Sequence, residues 1–287
     1  MLHAVTRIGY GAAQLRRLDD DRATAVALVR RALELGVDHI DTALFYGSAN
    51  DVLRQALRPD DKVLVVTKVG ATPVPGGPVP LRLAQRPGEL RTDVENNLRT
   101  LGTDRLDVVN LRRPDGGPTV RATGDQVVDL DDQLAVLTAL RDEGKIGGIG
   151  LSGVTLDGLR RALPAGIVCV QNAYSLVARD DEELLQLCTA EDIAWVPFFP
   201  LGGAFPGLPK VTDEPAVHAV AEKLGVTPSQ VGLAWLLHHS PTVLLIPGTA
   251  SIAHLEANLA AATIRLDDAT MAALDAVPSR SSQITLG

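Results

Sequence analysis

Short apolar runs alternate with longer amphipathic stretches along the whole chain. In residues 21–35, Ala25, Leu28, Val29, Ala32 and Leu33 recur at helical spacing, and Gly36 follows as a stop. Residues 38–42 and 62–69 are apolar runs of strand length, the second rich in β-branched residues. The same reasoning predicts strands over 106–111, 146–151, 167–171, 193–198 and 243–246, with a short strand or turn at 7–11. Helices are predicted over 50–57, 87–101, 130–143, 155–163, 180–190, 214–224, 228–238, 251–262 and 267–276. Residues 73–87, rich in Pro and Gly, and residues 113–124 predict loops.

This makes about eight strand–helix units, the pattern of a parallel sheet with helices outside. Right-handed crossovers leave an open doubly wound sheet or a closed barrel. Eight units in 287 residues favour an α/β (β/α)8 TIM barrel. No linker-like stretch interrupts the chain, so residues 1–287 are expected to form a single domain.

Composition narrows the function. The 27 Lys and Arg against 35 Asp and Glu give a net charge of −8, a poor match to nucleic acid. No apolar run reaches the roughly 18 residues of a membrane span, and the first ten residues do not read as a signal peptide. Cys169 and Cys188 sit among apolar neighbours and read as buried hydrophobes of a protein in the reducing cytoplasm. No metal-ligand spacing is present, so no metal is expected. Aromatic residues make up only 3% of the chain, which predicts a core of Ala, Val, Leu and Ile.

Gly148-Ile149-Gly150-Leu151-Ser152-Gly153 matches the dinucleotide fingerprint in letters only. A helix is expected to end at Gly144, and no carboxylate stands near residues 169–173. The glycines read better as relief for a crowded strand. Chemistry is expected elsewhere. Asp41 ends one strand and Lys68 the next, and such strand ends face the active site of a barrel. A lysine there needs a counter-ion, and Asp41 is the natural partner. Tyr46, a few residues on, would have its phenolate favoured by that cation, as suits a general acid. Spacing alone admits equally a structural ion pair beside an unrelated tyrosine.

Asp41-Thr42-Ala43-x-x-Tyr46-Gly47 with Lys68 resembles the signature of the aldo-keto reductases. Gln171-Asn172-x-Tyr174, Pro200-Leu201-Gly202 and Ile246-Pro247-Gly248-Thr249 follow in family order. Residues 106–112 and 196–203 are similar to the bacterial pyridoxal reductase branch. The resemblance implies a barrel that binds NADPH, with NADH also possible in principle, and reduces a small carbonyl substrate reversibly. Tyr46 would donate the proton, with Asp41 and Lys68 as its tuning pair. Gly11, Ala12 and Asp41 would line the cofactor site. Ser152 and Gln171 would hold the carboxamide, and Phe198 would stack on the nicotinamide. Pro200, Leu201 and Gly202 would follow the pyrophosphate. Ile246, Gly248, Thr249, Ser251, His254 and Asn258 would meet the adenosine end, where a helix N-terminus suits a phosphate.

The chain also departs from the family. Arg112 stands where most members have a histidine that orients the carbonyl. Arginine cannot release a proton near neutral pH, but it can donate hydrogen bonds or clamp an anion. Phe45 and Arg113 are further candidates for substrate contact. Gly153 replaces an asparagine, Gly248 a lysine, His254 an arginine and Ala257 a glutamate, so NADPH is favoured by resemblance rather than by local charge. Two other readings fit the resemblance: a nicotinamide-binding redox sensor or regulatory subunit, and a reductase of an imine or natural-product intermediate. Specificity is expected in residues 73–86, 113–129 and 203–211 and in the tail after 277. Phe45, Tyr46, Tyr174, Phe198, Phe199 and Phe205, the last in the third of these, are expected as the rings of the cofactor end, leaving Trp195 and Trp235 for packing. Oligomeric state is not legible.

Overall fold

The computed structural model describes residues 2–74, 81–116, 119–203, 207–281 and 285–286. Strand β1 (Tyr10–Gly11) leads to helix α1 (Arg22–Glu34), and β2 (His39–Asp41) to α2 (Ala49–Ala56). β3 (Leu64–Val69) passes through a hairpin of β4 (Ala71–Pro73) and β5 (Leu81–Leu83) to α3 (Pro87–Leu101). β6 (Leu106–Arg112) is followed by the short β7 (Thr119–Val120) and α4 (Leu130–Asp142). β8 (Ile146–Ser152) leads to α5 (Leu156–Ala162), and β9 (Ile167–Gln171) to α6 (Glu182–Ala190). After β10 (Ala194–Trp195) come α7 (Pro215–Leu224), α8 (Pro228–His239), α9 (Ile252–Ala260), α10 (Asp268–Asp275) and β11 (Thr285–Leu286).

The predicted helices end where local chemistry stops them. Asp21 caps α1 by accepting from the Thr24 amide, and Ala25, Leu28, Val29 and Ala32 form its buried face. Pro87 opens α3 and left-handed Gly102 closes it. Thr227 and Gln230 form a capping box on α8.

Seven parallel strands join in the order β1-β2-β3-β6-β8-β9-β10. Each new strand is added on the same side of the last, so the sheet curls instead of reversing at a switch point. The eighth expected strand, 243–246, forms no ladder. It makes single bridges, Val243 to Trp195 and Leu245 to Ile8, so that one segment touches both edges of the sheet. The expected strand 193–198 is likewise reduced to Ala194–Trp195. Val196 and Phe198 still donate to the Val170 and Asn172 carbonyls, but Pro197 has no N–H to offer. Two expected loops contain strands: β4 pairs antiparallel with β5, and β7 pairs with β11. Residues 75–80 and 117–118 of those loops, and Phe205, lie outside the described residues.

The inner surface of the curl alternates with the strands. Val66, Val108, Cys169, Ala194, Val196 and Leu244 form an apolar cluster there. Gly148 and Gly150 occupy the same row on β8. A Cβ on Gly150 would stand 1.9 Å from Asn110 Oδ1 and 2.6 Å from Cys169 Sγ. These glycines lie within a strand that runs from Ile146 to Ser152, so they relieve crowding and do not open a helix. The larger clusters lie between the sheet and the helices, with Trp195 and Trp235 fully buried in one of them. No helix among the described residues is long and apolar enough to cross a membrane.

Two predictions follow from this packing. Gly150→Ala overpacks the interior and should lower stability by about 1–3 kcal/mol in urea unfolding. The second concerns Asp93, which accepts from the Gly70 amide just after β3. Burial raises its carboxyl from 3.8 to about 6, against the opposing hydrogen bonds from Gly70 and Thr72. The folded protein therefore binds the Asp93 proton more tightly than the unfolded chain. This contribution is complete below pH 4 and is lost as pH rises through about 6. The stability difference between wild type and Asp93→Asn should accordingly shift in favour of the variant between pH 4 and 6, by up to about 3 kcal/mol.

Candidate active site

The inward rows are mostly apolar, with His39 and Asn110 as buried exceptions, and every one of five strands ends them on a polar residue. Asp41 ends β2, Lys68 is the last inward residue of β3, Arg112 ends β6, Ser152 ends β8 and Gln171 ends β9. Register aligns Arg112 with Ser152, and Ser152 with Gln171. Alternation along each strand sends aligned residues to the same side, so these side chains converge on one end of the curl.

At the centre, Lys68 Nζ donates to Asp41 Oδ1 at 2.5 Å and to the Thr42 carbonyl at 3.2 Å. Gln171 Nε2 donates to Asp41 Oδ2 at 2.7 Å. Both charged residues are under 5% exposed. Burial alone would push the Lys68 ammonium down, but the Asp41 carboxylate and then Tyr46 outweigh it, so its pKa is raised. Lys68 Nζ lies 5.1 Å from the centre of the Tyr46 ring, and Phe45 meets that ring edge-on at 5.0 Å.

Arg112 sits at the open side of this group. Its guanidinium lies 5.7 Å from the Phe45 ring centre, and its buried Nε has no hydrogen-bond partner. Burial lowers its pKa, with Tyr46 opposing. Arg113 is placed differently. It donates to Asp115 at 2.6 Å, to the Val128 carbonyl and to Gln133, which ties it to the base of α4.

The remaining candidates form a band beside the central pair. Gln171 Oε1 is an acceptor buried without a partner, on the amide whose Nε2 binds Asp41. Phe198 bridges to Ala173 and meets Phe199 edge-on at 5.0 Å. Pro200, Leu201 and Gly202 follow, with Phe199 and Gly202 both at positive φ. A Cβ on Gly202 would stand 2.3 Å from the Pro209 carbonyl oxygen, so glycine is needed for this turn. Gly11 passes so close to Ile246 that a Cβ would meet its carbonyl oxygen at 2.4 Å. The Ala12 methyl is buried in the core and leaves only backbone for a ligand. Ser251 caps α9 by accepting from the His254 amide. Thr249 is buried, whereas Gly248 and His254 are exposed and Asn258 is half-buried on α9.

Two departures from the family pattern have packing causes. Gly153 has φ +66°, and a Cβ there would meet the Arg113 carbonyl oxygen at 2.6 Å. A Cβ on Gly248 would stand 2.8 Å from the Gly11 carbonyl oxygen. Tyr174 is a correction. Expected among the rings at the active end, it packs instead between Trp195 and Trp235, with ring centres 5.8 and 6.3 Å away. Sequence reasoning missed Tyr10, whose buried hydroxyl donates to the Thr249 carbonyl at 2.8 Å. It also missed Gln14, whose Oε1 is buried and unpartnered and whose Cγ lies beside Gly248. Neither residue belongs to a motif; only proximity reveals them.

A model of the aldo/keto reductase family matches residues 7–278. The chain is 42% identical to a pyridoxine 4-dehydrogenase of Escherichia coli (strain K12) over 283 residues, 96% of this chain and 95% of that protein. An uncharacterised oxidoreductase of Schizosaccharomyces pombe is 35% identical, over 94% of this chain and 86% of that protein. Among solved structures, an aldo-keto reductase from Klebsiella pneumoniae in complex with NADPH superposes with a TM-score of 0.79. It is 28% identical and covers 97% of this chain and 94% of its own.

The central pair generates its own prediction. Removing one partner of a buried ion pair strands the other charge, at a cost of about 3–5 kcal/mol. Asp41→Ala should show that loss in urea unfolding. The double variant Asp41→Ala with Lys68→Met should recover part of it.

Proposed function

The chain belongs to the aldo/keto reductase family, and we propose that it reduces a small aldehyde or ketone to the alcohol at the convergent ends of β2, β3, β6, β8 and β9. The reaction is that of an NADP-dependent oxidoreductase. We further propose a single (β/α)8 domain over residues 1–287, with 243–246 as the eighth stave, working in the cytoplasm. The bridges from that segment to both sheet edges support this closure. Pyridoxal-like aldehydes are the substrate class that the 42% identical relative suggests.

The observation that carries the reading is Lys68, fully paired to buried Asp41 and 5.1 Å from the Tyr46 ring. Positive charge fixed beside the phenol stabilises the negative charge left on its oxygen as the proton departs. Tyr46 delivers that proton to the substrate oxygen. Asp41 holds Lys68 in place, and Gln171 holds Asp41 through its second oxygen.

The residues present fit a nicotinamide cofactor. The unpartnered Gln171 Oε1 is an acceptor suited to a carboxamide N–H, and Ser152 stands beside it in register. Phe198 offers a ring face, and the capped start of α9 suits a phosphate. Pro200, Leu201, Gly202, Thr249, Ser251, His254 and Asn258 complete the proposed contacts. When bound, the cofactor supplies the hydride to the carbonyl carbon. The chain's own part is to position the carbonyl, exclude water and provide the proton.

Tyr46→Phe keeps the ring and removes the proton. The rate of NADPH oxidation with an aldehyde such as pyridoxal should fall by at least about 100-fold. NADPH binding, followed by protein fluorescence, should be retained. Unchanged turnover would overturn the assignment of Tyr46.

A further inference from the structure

Among the described residues, no carboxylate answers the charge of Arg112 at this site. Lys68 has Asp41, and Arg113 has Asp115. Arg112 forms no ion pair among the described residues, its Nε is buried without a partner, and its guanidinium lies over the Phe45 ring. The residues outside the description include no Asp or Glu. An arginine keeps its charge near neutral pH, and this one has a buried Nε, a side chain only partly exposed and no carboxylate to share. Such a side chain is held ready for a charge that arrives with a ligand.

The place of the guanidinium says which part of a ligand that is. Arg112 ends β6 in register with Ser152, and Tyr46 is near enough to influence its charge. A carbonyl that takes its proton from Tyr46 therefore has Arg112 beside it. The Phe45 ring, edge-on to Tyr46, provides an aromatic wall at the same point. The two N–H edges of a guanidinium bind two oxygens at once, so a carbonyl oxygen and a neighbouring oxyanion fit it together.

Resting on the reductase reading above, we infer that this enzyme selects aromatic carbonyl compounds that carry an anionic oxygen next to the reacting carbonyl, with Arg112 as the residue that selects them. The anion is either a carboxylate on the carbonyl carbon or a phenolate ortho to it. Hydride still adds to the carbonyl carbon and the Tyr46 proton to its oxygen. The neighbouring anion keeps its charge throughout and serves only in recognition.

The test uses two matched pairs of substrates with NADPH and the full-length protein. Benzoylformate is compared with methyl benzoylformate, and 2-hydroxybenzaldehyde with 2-methoxybenzaldehyde, the second pair at a pH above the pKa of the phenol, where its hydroxyl is ionised. Wild type should prefer the anionic member of at least one pair by about 30-fold or more in kcat/KM, the size expected for a desolvated charge pair. The pair that shows the preference identifies the kind of anion. Arg112→Met should remove the preference, mainly through KM, whatever its effect on the absolute rate. Arg112→Lys should restore part of it. As an equilibrium readout, the preferred anion with NADP should raise the Tm of wild type and leave that of Arg112→Met unmoved.

Equal kcat/KM within both pairs in wild type, or a preference that survives Arg112→Met, overturns the inference while the reductase reading stands. A wild-type protein that oxidises NADPH with no carbonyl, pyridoxal included, overturns that reading and the inference with it.

Discussion

Buried charge organises this molecule. Lys68 and Asp41 lie almost out of reach of water, so removing either leaves the other charge buried without its partner. That requirement fixes the relative positions of β2 and β3. It recruits Gln171 from β9 to the second Asp41 oxygen, and the Thr42 carbonyl to Lys68. A bond between residues 130 positions apart thus links the early and late strands through one carboxylate. The same pairing puts a cation beside Tyr46, the residue proposed above as proton donor.

Space inside the curl is arranged to allow this. The lower interior is apolar and filled by Val66, Val108, Cys169 and Val196, with Gly148 and Gly150 admitting their neighbours. Charged side chains gather at the upper end, and below them the interior holds only His39 and Asn110 as polar exceptions on these rows. The result is a dry floor under an ion pair, where electrostatic interactions are stronger than in water. Glycines serve the rim as well. At Gly11 and Gly202, backbone passes too close to other backbone for a side chain.

Aromatic residues are few, and they divide by task. Tyr174, Trp195 and Trp235 pack together as a buried cluster, and Tyr10 is buried beneath Thr249. Phe45, Tyr46, Phe198 and Phe199 stand at the polar end as two edge-on pairs. A core of small aliphatics therefore does not reserve every ring for the site.

The sequence by itself determined the alternation of strands and helices, the caps that end α1, α3 and α8, and the polar residues at strand ends. Each of these is a local property: a period, a stop or a charge that interrupts an apolar run. It also carried the family, because Asp41, Tyr46, Lys68 and Gln171 keep their spacing and order. The tertiary structure decided what depends on neighbours distant in sequence. It shortened the strand at Pro197, which has no N–H to donate, and held 243–246 by isolated bridges and backbone hydrogen bonds to both sheet edges. It placed Tyr174 in the core and tied Arg113 to Asp115 and Gln133. It showed Gly153 and Gly248 to be demanded by close backbone approach. Above all, it separated two adjacent arginines that the sequence had both offered to the site. Strand alternation sends their side chains to opposite faces, where Arg113 finds a carboxylate and Arg112 does not.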